Sequence, residues 1–135
     1  NQGISQYPYS TELMTIKAQV LSNLEAYDEA LQLLDQAHAM QPNDAEIFLT
    51  KGSILAIRGQ HKLAIENYEQ ALDLAEEKDE VYYNIGLAYQ GLELYEQAIE
   101  NYKNAIEENI SHDGALYELA FCLDVTGQLQ SSVDY

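Results

Sequence analysis

The feature that most constrains this chain is a spacing. Ala-Ile-Glu-Asn-Tyr stands at 64–68 and returns unchanged at 98–102, 34 residues later. Small residues keep the same interval. Ala30, Ala64 and Ala98 form one column, which Ser132 continues. Ala37, Ala71 and Ala105 form a second, and Ala18, Gly52, Gly86 and Ala120 a third. Large apolar residues run in phase with them: Met14, Phe48, Tyr82 and Leu116; Leu21, Leu55, Tyr89 and Leu123; Leu31, Ile65, Ile99 and Val133; Leu34, Tyr68 and Tyr102. A chain with such a period must build the same small unit several times and bury its core between neighbours.

Within each unit the apolar positions follow helical spacing, as at 14, 18 and 21 and then at 27, 30, 31, 34 and 37. Alternating Val, Ile and Thr runs of the kind that make strands are absent. Ala, Leu, Glu and Gln are abundant, with only 2 prolines and 7 glycines, and this composition favours helix. The pattern predicts two amphipathic helices per unit. First helices are expected at 11–24, 45–58, 79–91 and 113–126, and second helices at 28–41, 62–76, 95–109 and from 129 onward. Asp44, Asp79 and Asp113 are placed to cap first helices. Gly59 and Gly127 suit the left-handed residue that ends them. Pro42 marks the exit from the first unit. The small columns let paired helices approach closely, so a large residue at Gly86 should wedge its hairpin apart.

These residues resemble the tetratricopeptide repeat, a helix–turn–helix unit of 34 residues. The third unit carries the likeness best, with Tyr82-x2-Ile85-Gly86-x2-Tyr89 and then Ala98-x3-Tyr102. The second reads Phe48-x2-Lys51-Gly52-x2-Leu55 and Ala64-x3-Tyr68. The first is looser, with Met14, Ala18, Leu21, Ala30, Leu34 and Pro42. Lys17 and Lys51 stand where the family usually has Leu; their stems can pack while the ammonium groups reach water. The family's proline is missing after the second and third units, where Glu76 and Ile110 stand. The resemblance implies an all-α, right-handed α-solenoid of antiparallel hairpins. We expect an N-terminal extension at 1–10, units at 11–44, 45–78 and 79–112, and a partial fourth at 113–135. Because that fourth unit breaks off in its second helix, the parent protein is expected to continue past Tyr135.

Once packing columns are set aside, one face of each first helix is left over. In unit one it holds Glu12, Thr15, Ile16, Gln19, Ser22 and Asn23, at offsets that trace a single stripe. In proteins this chain resembles, that stripe lines the concave groove and holds peptides. Along the array Thr15 becomes Leu49, Tyr83 and Tyr117, and Gln19 becomes Ser53, Leu87 and Phe121. Glu12, Glu46 and Glu80 share a column beside it, with Glu118 and Asp124 near the end and amides at Asn84 and Gln90. The candidate peptide-binding residues are these acids and amides together with Ile16, Gln19, Leu49, Ser53, Tyr83, Leu87, Tyr117 and Phe121. The aromatic stripe has a second reading, as packing against further C-terminal units or against NQGISQYPYS, whose Tyr7 and Tyr9 could fold back. As a groove, five half-buried large side chains would contribute on the order of 4–8 kcal/mol before association costs, enough for micromolar binding.

The formal charge of −17, from 23 acids and 6 bases, disfavours nucleic acid and anionic lipid as partners and favours a basic one. No apolar run is long enough to span a membrane, and no signal-peptide pattern is visible. A cytoplasmic location is expected, or a periplasmic or exported one if a signal was removed. The family's carboxylate clamp needs Lys and Arg on the groove face, and here that face offers only Asn84. His38, His61 and His112 lack metal-ligand spacing. Cys122, in column with Val20, Ile54 and Ala88, reads as a small buried hydrophobe rather than a nucleophile. No cofactor, metal or catalytic constellation is expected. The expected function is a non-enzymatic protein-interaction scaffold that binds an apolar, basic peptide or helix. The alternatives are a structural segment that self-associates through an exposed repeat end, and a regulatory array attached to an enzyme elsewhere in the parent chain.

Overall fold

The protein is described from a computed structural model over residues 10–134, with side chains described from 10 to 127. The described residues form seven α-helices and no strand. They are α1 (Thr11–Asn23), α2 (Tyr27–Met40), α3 (Ala45–Ile57), α4 (His61–Leu74), α5 (Asp79–Gly91), α6 (Tyr95–Glu108) and α7 (Asp113–Asp134). Six of them pair as antiparallel hairpins, α1/α2, α3/α4 and α5/α6, and the hairpins stack into an all-α solenoid. The possible fold-back of Tyr7 and Tyr9 lies outside the described residues, as do the side chains of Ser132 and Val133.

The hairpin turns repeat one device. After α1, α3 and α5 the chain closes a Schellman motif, in which Ala26 N–H donates to Leu21 C=O, Gln60 to Leu55 and Leu94 to Tyr89, at 2.8, 2.8 and 2.9 Å. The motif needs one residue in the left-handed region. Gly59 supplies it at φ 81°, and Glu25 and Glu93 supply it at 64° and 61° despite their side chains. Gly127 is next in that column, yet α7 runs through it as helix to Asp134. The expected break at Gly127, and a separate second helix from 129, are therefore not formed. Nothing in the backbone forbids this, since glycine in mid-helix costs only about 1 kcal/mol.

Capping also departs from expectation at two of three sites. Asp44 accepts the Glu46 N–H at 3.0 Å and caps α3 as foreseen. Ser10 accepts from Leu13 N at 3.2 Å and caps α1. Asp79 and Asp113 are instead the first residues inside their helices. His112 caps α7, its Nδ1 accepting the Ala115 N–H at 3.0 Å. Lys78 precedes α5 and donates from Nζ to the carbonyls of Leu72 and Ala75, at 2.6 and 2.9 Å. It thus closes the C-terminal end of α4, where the family's proline is missing.

The core is three linked clusters. Met14 and Ala18 of α1, Ala30, Leu34 and Ala37 of α2, and Ile47 and Ile54 of α3 make the first. Leu55, the α4 residues Ala64, Ile65, Tyr68 and Ala71, and Val81, Ile85 and Ala88 of α5 make the second. Ala98, Tyr102 and Ala105 of α6 join Ala115 and Cys122 of α7 in the third. Each cluster thus draws in the helix that follows its hairpin. The glycine column has a specific purpose here. A Cβ on Gly52 would lie 2.5 Å from the Tyr68 ring, and one on Gly86 would lie 2.5 Å from the Tyr102 ring. In unit one the pairing is Ala18 with Leu34, a larger seam residue facing a smaller partner. Ala120, next in the column, is exposed, since α7 runs on past Gly127 instead of turning back over it.

Candidate functional site

The left-over faces of α1, α3 and α5 line an open groove with two adjoining chambers. One, of about 500 Å3, is lined by Glu12, Thr15, Ile16, Gln19, Asp44 and Glu46. The other, of about 510 Å3, is lined by Gln19, Ser22, Asn23, Glu46, Leu49, Thr50, Ser53, Ile54, Ile57, Glu80 and Asn84. Gln19 and Glu46 belong to both, so the chambers are continuous. The 34-residue period is what aligns them: Glu12, Glu46 and Glu80 occupy the same position on three neighbouring helices.

The lining mixes aliphatic side chains, Ile16 in the first chamber and Leu49, Ile54 and Ile57 in the second, with the carboxyl-bearing Glu12, Asp44, Glu46 and Glu80. Ile16 and Ile57 are 51% and 62% exposed, a costly state for large aliphatic side chains unless something covers them. Thr15 and Thr50 are buried, and their hydroxyls are satisfied internally by Thr11 C=O at 2.8 Å and Glu46 C=O at 2.9 Å. The carboxylates of Glu12 and Glu46 make no ion pair or hydrogen bond among the described residues. Glu80 lies 3.2 Å from His112 Nε2 and keeps 60% of its side chain exposed. None of the six cationic residues lines either chamber. Lys51 pairs with Asp35 of α2 at 2.9 Å, its stem packed and its ammonium at the surface, and Arg58 pairs with Asp28 at 3.2 Å while lying over the Tyr27 ring.

The C-terminal half of the expected stripe behaves differently. Tyr83 is half-buried in the seam between α5 and α7, its ring 4.8 Å from that of His112 and 6.0 Å from that of Tyr102. A Cβ on Gly114 would meet the Tyr83 ring at 3.0 Å. Leu87 packs in the same cluster. Gln90 is the polar hub of that seam. Its Oε1 accepts from Tyr102 Oη at 2.7 Å and from Cys122 Sγ at 3.3 Å, and its Nε2 donates to Glu118 at 3.1 Å. Burial holds the Tyr102 hydroxyl in its protonated form far above the ordinary tyrosine range, with the Glu118 carboxylate adding to the effect. The same causes, in the same order, push the Cys122 thiol up, which suits a buried thiol rather than a nucleophile.

The structure therefore brings Glu12, Ile16, Gln19, Glu46, Leu49, Ser53, Glu80 and Asn84 together and draws Tyr83, Leu87 and Gln90 into packing. Tyr117 and Phe121 stay exposed on α7, at 72% and 46%, but line neither chamber. Glu118 is held by Gln90, and Asp124 is exposed further along the helix. Asn23 lines the groove as its place on the left-over face implied, whereas Asp44, Thr50, Ile54 and Ile57 line it without having been expected there. Ile57 stands four residues after Ser53, the helical offset that could have found it. A third hollow, of about 600 Å3, lies between the start of α6 and Thr126 and contains no candidate residue.

Models of the tetratricopeptide repeat match residues 14–46 and 79–112, and a TPR repeat model matches 52–93. No curated protein matches the chain. Among solved structures, the Sgt2 TPR domain from Aspergillus fumigatus superposes with a TM-score of 0.82 at 20% identity, over 90% of this chain and 82% of that one. The first TPR domain of human RPAP3 gives 0.83 at 18%, over 93% and 98%. The first TPR of Spaghetti (RPAP3) bound to the HSP90 peptide SRMEEVD gives 0.80 at 18%, over 87% and 94%.

Proposed function

The chain belongs to the tetratricopeptide-repeat family, and from that membership we propose that it is a protein-interaction scaffold whose groove takes a basic, apolar segment of a partner. The observation that carries this reading is the pair of continuous chambers whose lining holds aliphatic side chains and carboxylates but none of the six Lys and Arg residues. A similar fold, that of Spaghetti (RPAP3), holds a peptide rich in acids. The carboxylates of this groove would repel such a ligand and attract its opposite. With Tyr83 and Leu87 already packed, fewer apolar side chains are available than the sequence suggested. Ile16, Leu49 and Ile57, half covered, would contribute roughly 2–5 kcal/mol before association costs. Binding is therefore weak to micromolar, with charge setting the encounter rate and orientation.

The test is fluorescence anisotropy with a labelled Lys- and Leu-containing peptide, its Glu-containing analogue, and two salt concentrations. The basic peptide should bind, weaken as salt rises, and weaken again with Leu49→Ala. Equal binding of the acidic analogue, or no binding of either, would sink the reading. Tyr83→Ala is a poor probe, because it also opens the α5/α7 seam.

A second reading, end-to-end association, has its own support. Leu13 and Val20 on α1 are 51% and 50% exposed, whereas the residues 34 and 68 positions later, Ile47, Val81, Ile54 and Ala88, are almost fully buried. Among the described residues nothing covers this face of α1, the counterpart of the surface on α3 and α5 that a preceding hairpin buries. Light scattering tests it: a concentration-dependent dimer lost on Leu13→Glu supports end contact, and a monomer at every concentration excludes it.

A further inference from the structure

We propose that the segment bound in this groove adopts a polyproline II conformation and carries Lys or Arg at every third position. The inference rests on the groove reading above and adds the conformation and spacing of the ligand. Three observations carry it.

The first is the repeat of the carboxylates. Glu12, Glu46 and Glu80 take the same place on α1, α3 and α5, and Glu46 edges both chambers. Packed helices stand about 8–10 Å apart, so a ligand crossing them meets a carboxylate at about that interval. A polyproline II strand rises ~3.1 Å per residue with three residues per turn, so residues i, i+3 and i+6 project from one side at ~9.3 Å steps. A β-strand fails, because its side chains alternate and i+3 points to the opposite face.

The second is the size of the chambers. A helix could also present cations at matching steps, seven residues apart over ~10.5 Å. A cylinder of that length and ~10 Å diameter encloses roughly 800 Å3. Each chamber is an open hollow of about 500 or 510 Å3, which three extended residues would fill, whereas a helix of seven would stand partly outside it.

The third is the chemistry between the carboxylates. Ile16 in one chamber, and Leu49 and Ile57 in the other, favour an apolar residue between successive cations. A polyproline II ligand has no internal hydrogen bonds, and amide-bearing Gln19, Asn23 and Asn84 line the walls beside its solvated backbone. Residues 1–10 of this chain contain no Lys or Arg, and a second copy is as acidic as the first, so charge opposes both as occupants. Glu80 already faces His112, which makes its cation contact the weakest of the three.

The experiment compares three capped peptides binding to the full chain by anisotropy. One repeats Lys-Pro-Leu. The second has the same composition with its lysines clustered. The third is an Ala-rich helix with lysines seven apart. The Lys-Pro-Leu peptide should bind about tenfold tighter than either other, a preference built from several exposed ion pairs. Glu46→Gln should remove most of that preference while leaving the far-ultraviolet spectrum and melting temperature unchanged. Equal affinity for the first two peptides overturns the spacing and leaves the groove reading intact. Tighter binding of the helix overturns the conformation. No binding by any of the three overturns both the inference and the reading beneath it.

Discussion

Adding one methyl group at Gly86 tests how these hairpins are held together. At an ordinary helical position Gly→Ala stabilises by about 0.8–1 kcal/mol, because glycine sacrifices more chain freedom on folding. Here the new Cβ would stand 2.5, 2.7 and 2.9 Å from three atoms of the Tyr102 ring. The ring has little room to retreat. Tyr102 is fully buried and its hydroxyl is tied to Gln90 at 2.7 Å. Forcing a methyl into a well-packed seam costs about 1–3 kcal/mol, and contacts this short belong at the upper end. Gly86→Ala should therefore be destabilising by about 1–2 kcal/mol net, a fall of several degrees in melting temperature for a chain of this length. Tyr102→Leu should cost a further ~1–3 kcal/mol alone, through a void and a lost hydrogen bond. The double variant recreates the Ala18–Leu34 pair of unit one. It should be less damaged than the sum by about 1 kcal/mol or more, a coupling that urea unfolding followed by circular dichroism can resolve. A stabilising Gly86→Ala, or strictly additive effects, would refute ring-against-glycine packing as the seam's organising contact.

Three further predictions follow from the turns, the caps and the buried hydroxyls. Glu25→Gly and Glu93→Gly should each stabilise by about 0.5–1 kcal/mol, since both residues hold a positive φ, and Gly59→Ala should destabilise by about 1 kcal/mol; thermal melts check the opposite signs. Lys78→Met should cost about 1–2 kcal/mol, because the ammonium satisfies two carbonyls at the end of α4, and amide hydrogen exchange should rise there first. Burial raises the Tyr68 and Tyr102 hydroxyls above their ordinary value of 10.0. The unfolded chain therefore releases protons that the folded chain retains, so this contribution is fully present below pH ~10 and is lost as pH rises beyond it. Urea melts at increasing alkaline pH should show falling stability, with a shallower fall in Tyr102→Phe.

The period made most of the fold legible. It fixed which residues share a column, and columns such as Ala30, Ala64 and Ala98 are buried wherever they fall. Helix ends were legible to within one or two residues in the first three units, because the Schellman turns recur at the same interval. The failures were local. Gly127 could be read as a turn residue from its column, but glycine permits a left-handed turn without compelling one. His112 hid its capping role because an imidazole nitrogen is not a common cap. The groove was legible on α1 and α3 and less so on α5. Column membership tells which face a side chain occupies, not whether the next helix leaves space beneath it. Gly114, standing in the column of Glu12, Glu46 and Glu80, is the residue that opens such a space and lets Tyr83 turn inward. That substitution of a glycine for an acid was the signal in the sequence.

Because every core cluster joins a hairpin only to its immediate neighbours, no residue in the array knows about any other more than a neighbour away. Injury should stay where it is inflicted: a wound at Gly86 would let the tail of the molecule melt while α1 to α3 held their shape. The first chamber lies wholly on α1 and the start of α3, while the second borrows Glu80 and Asn84 from α5, so the grip on a ligand should be shortened at one end rather than lost.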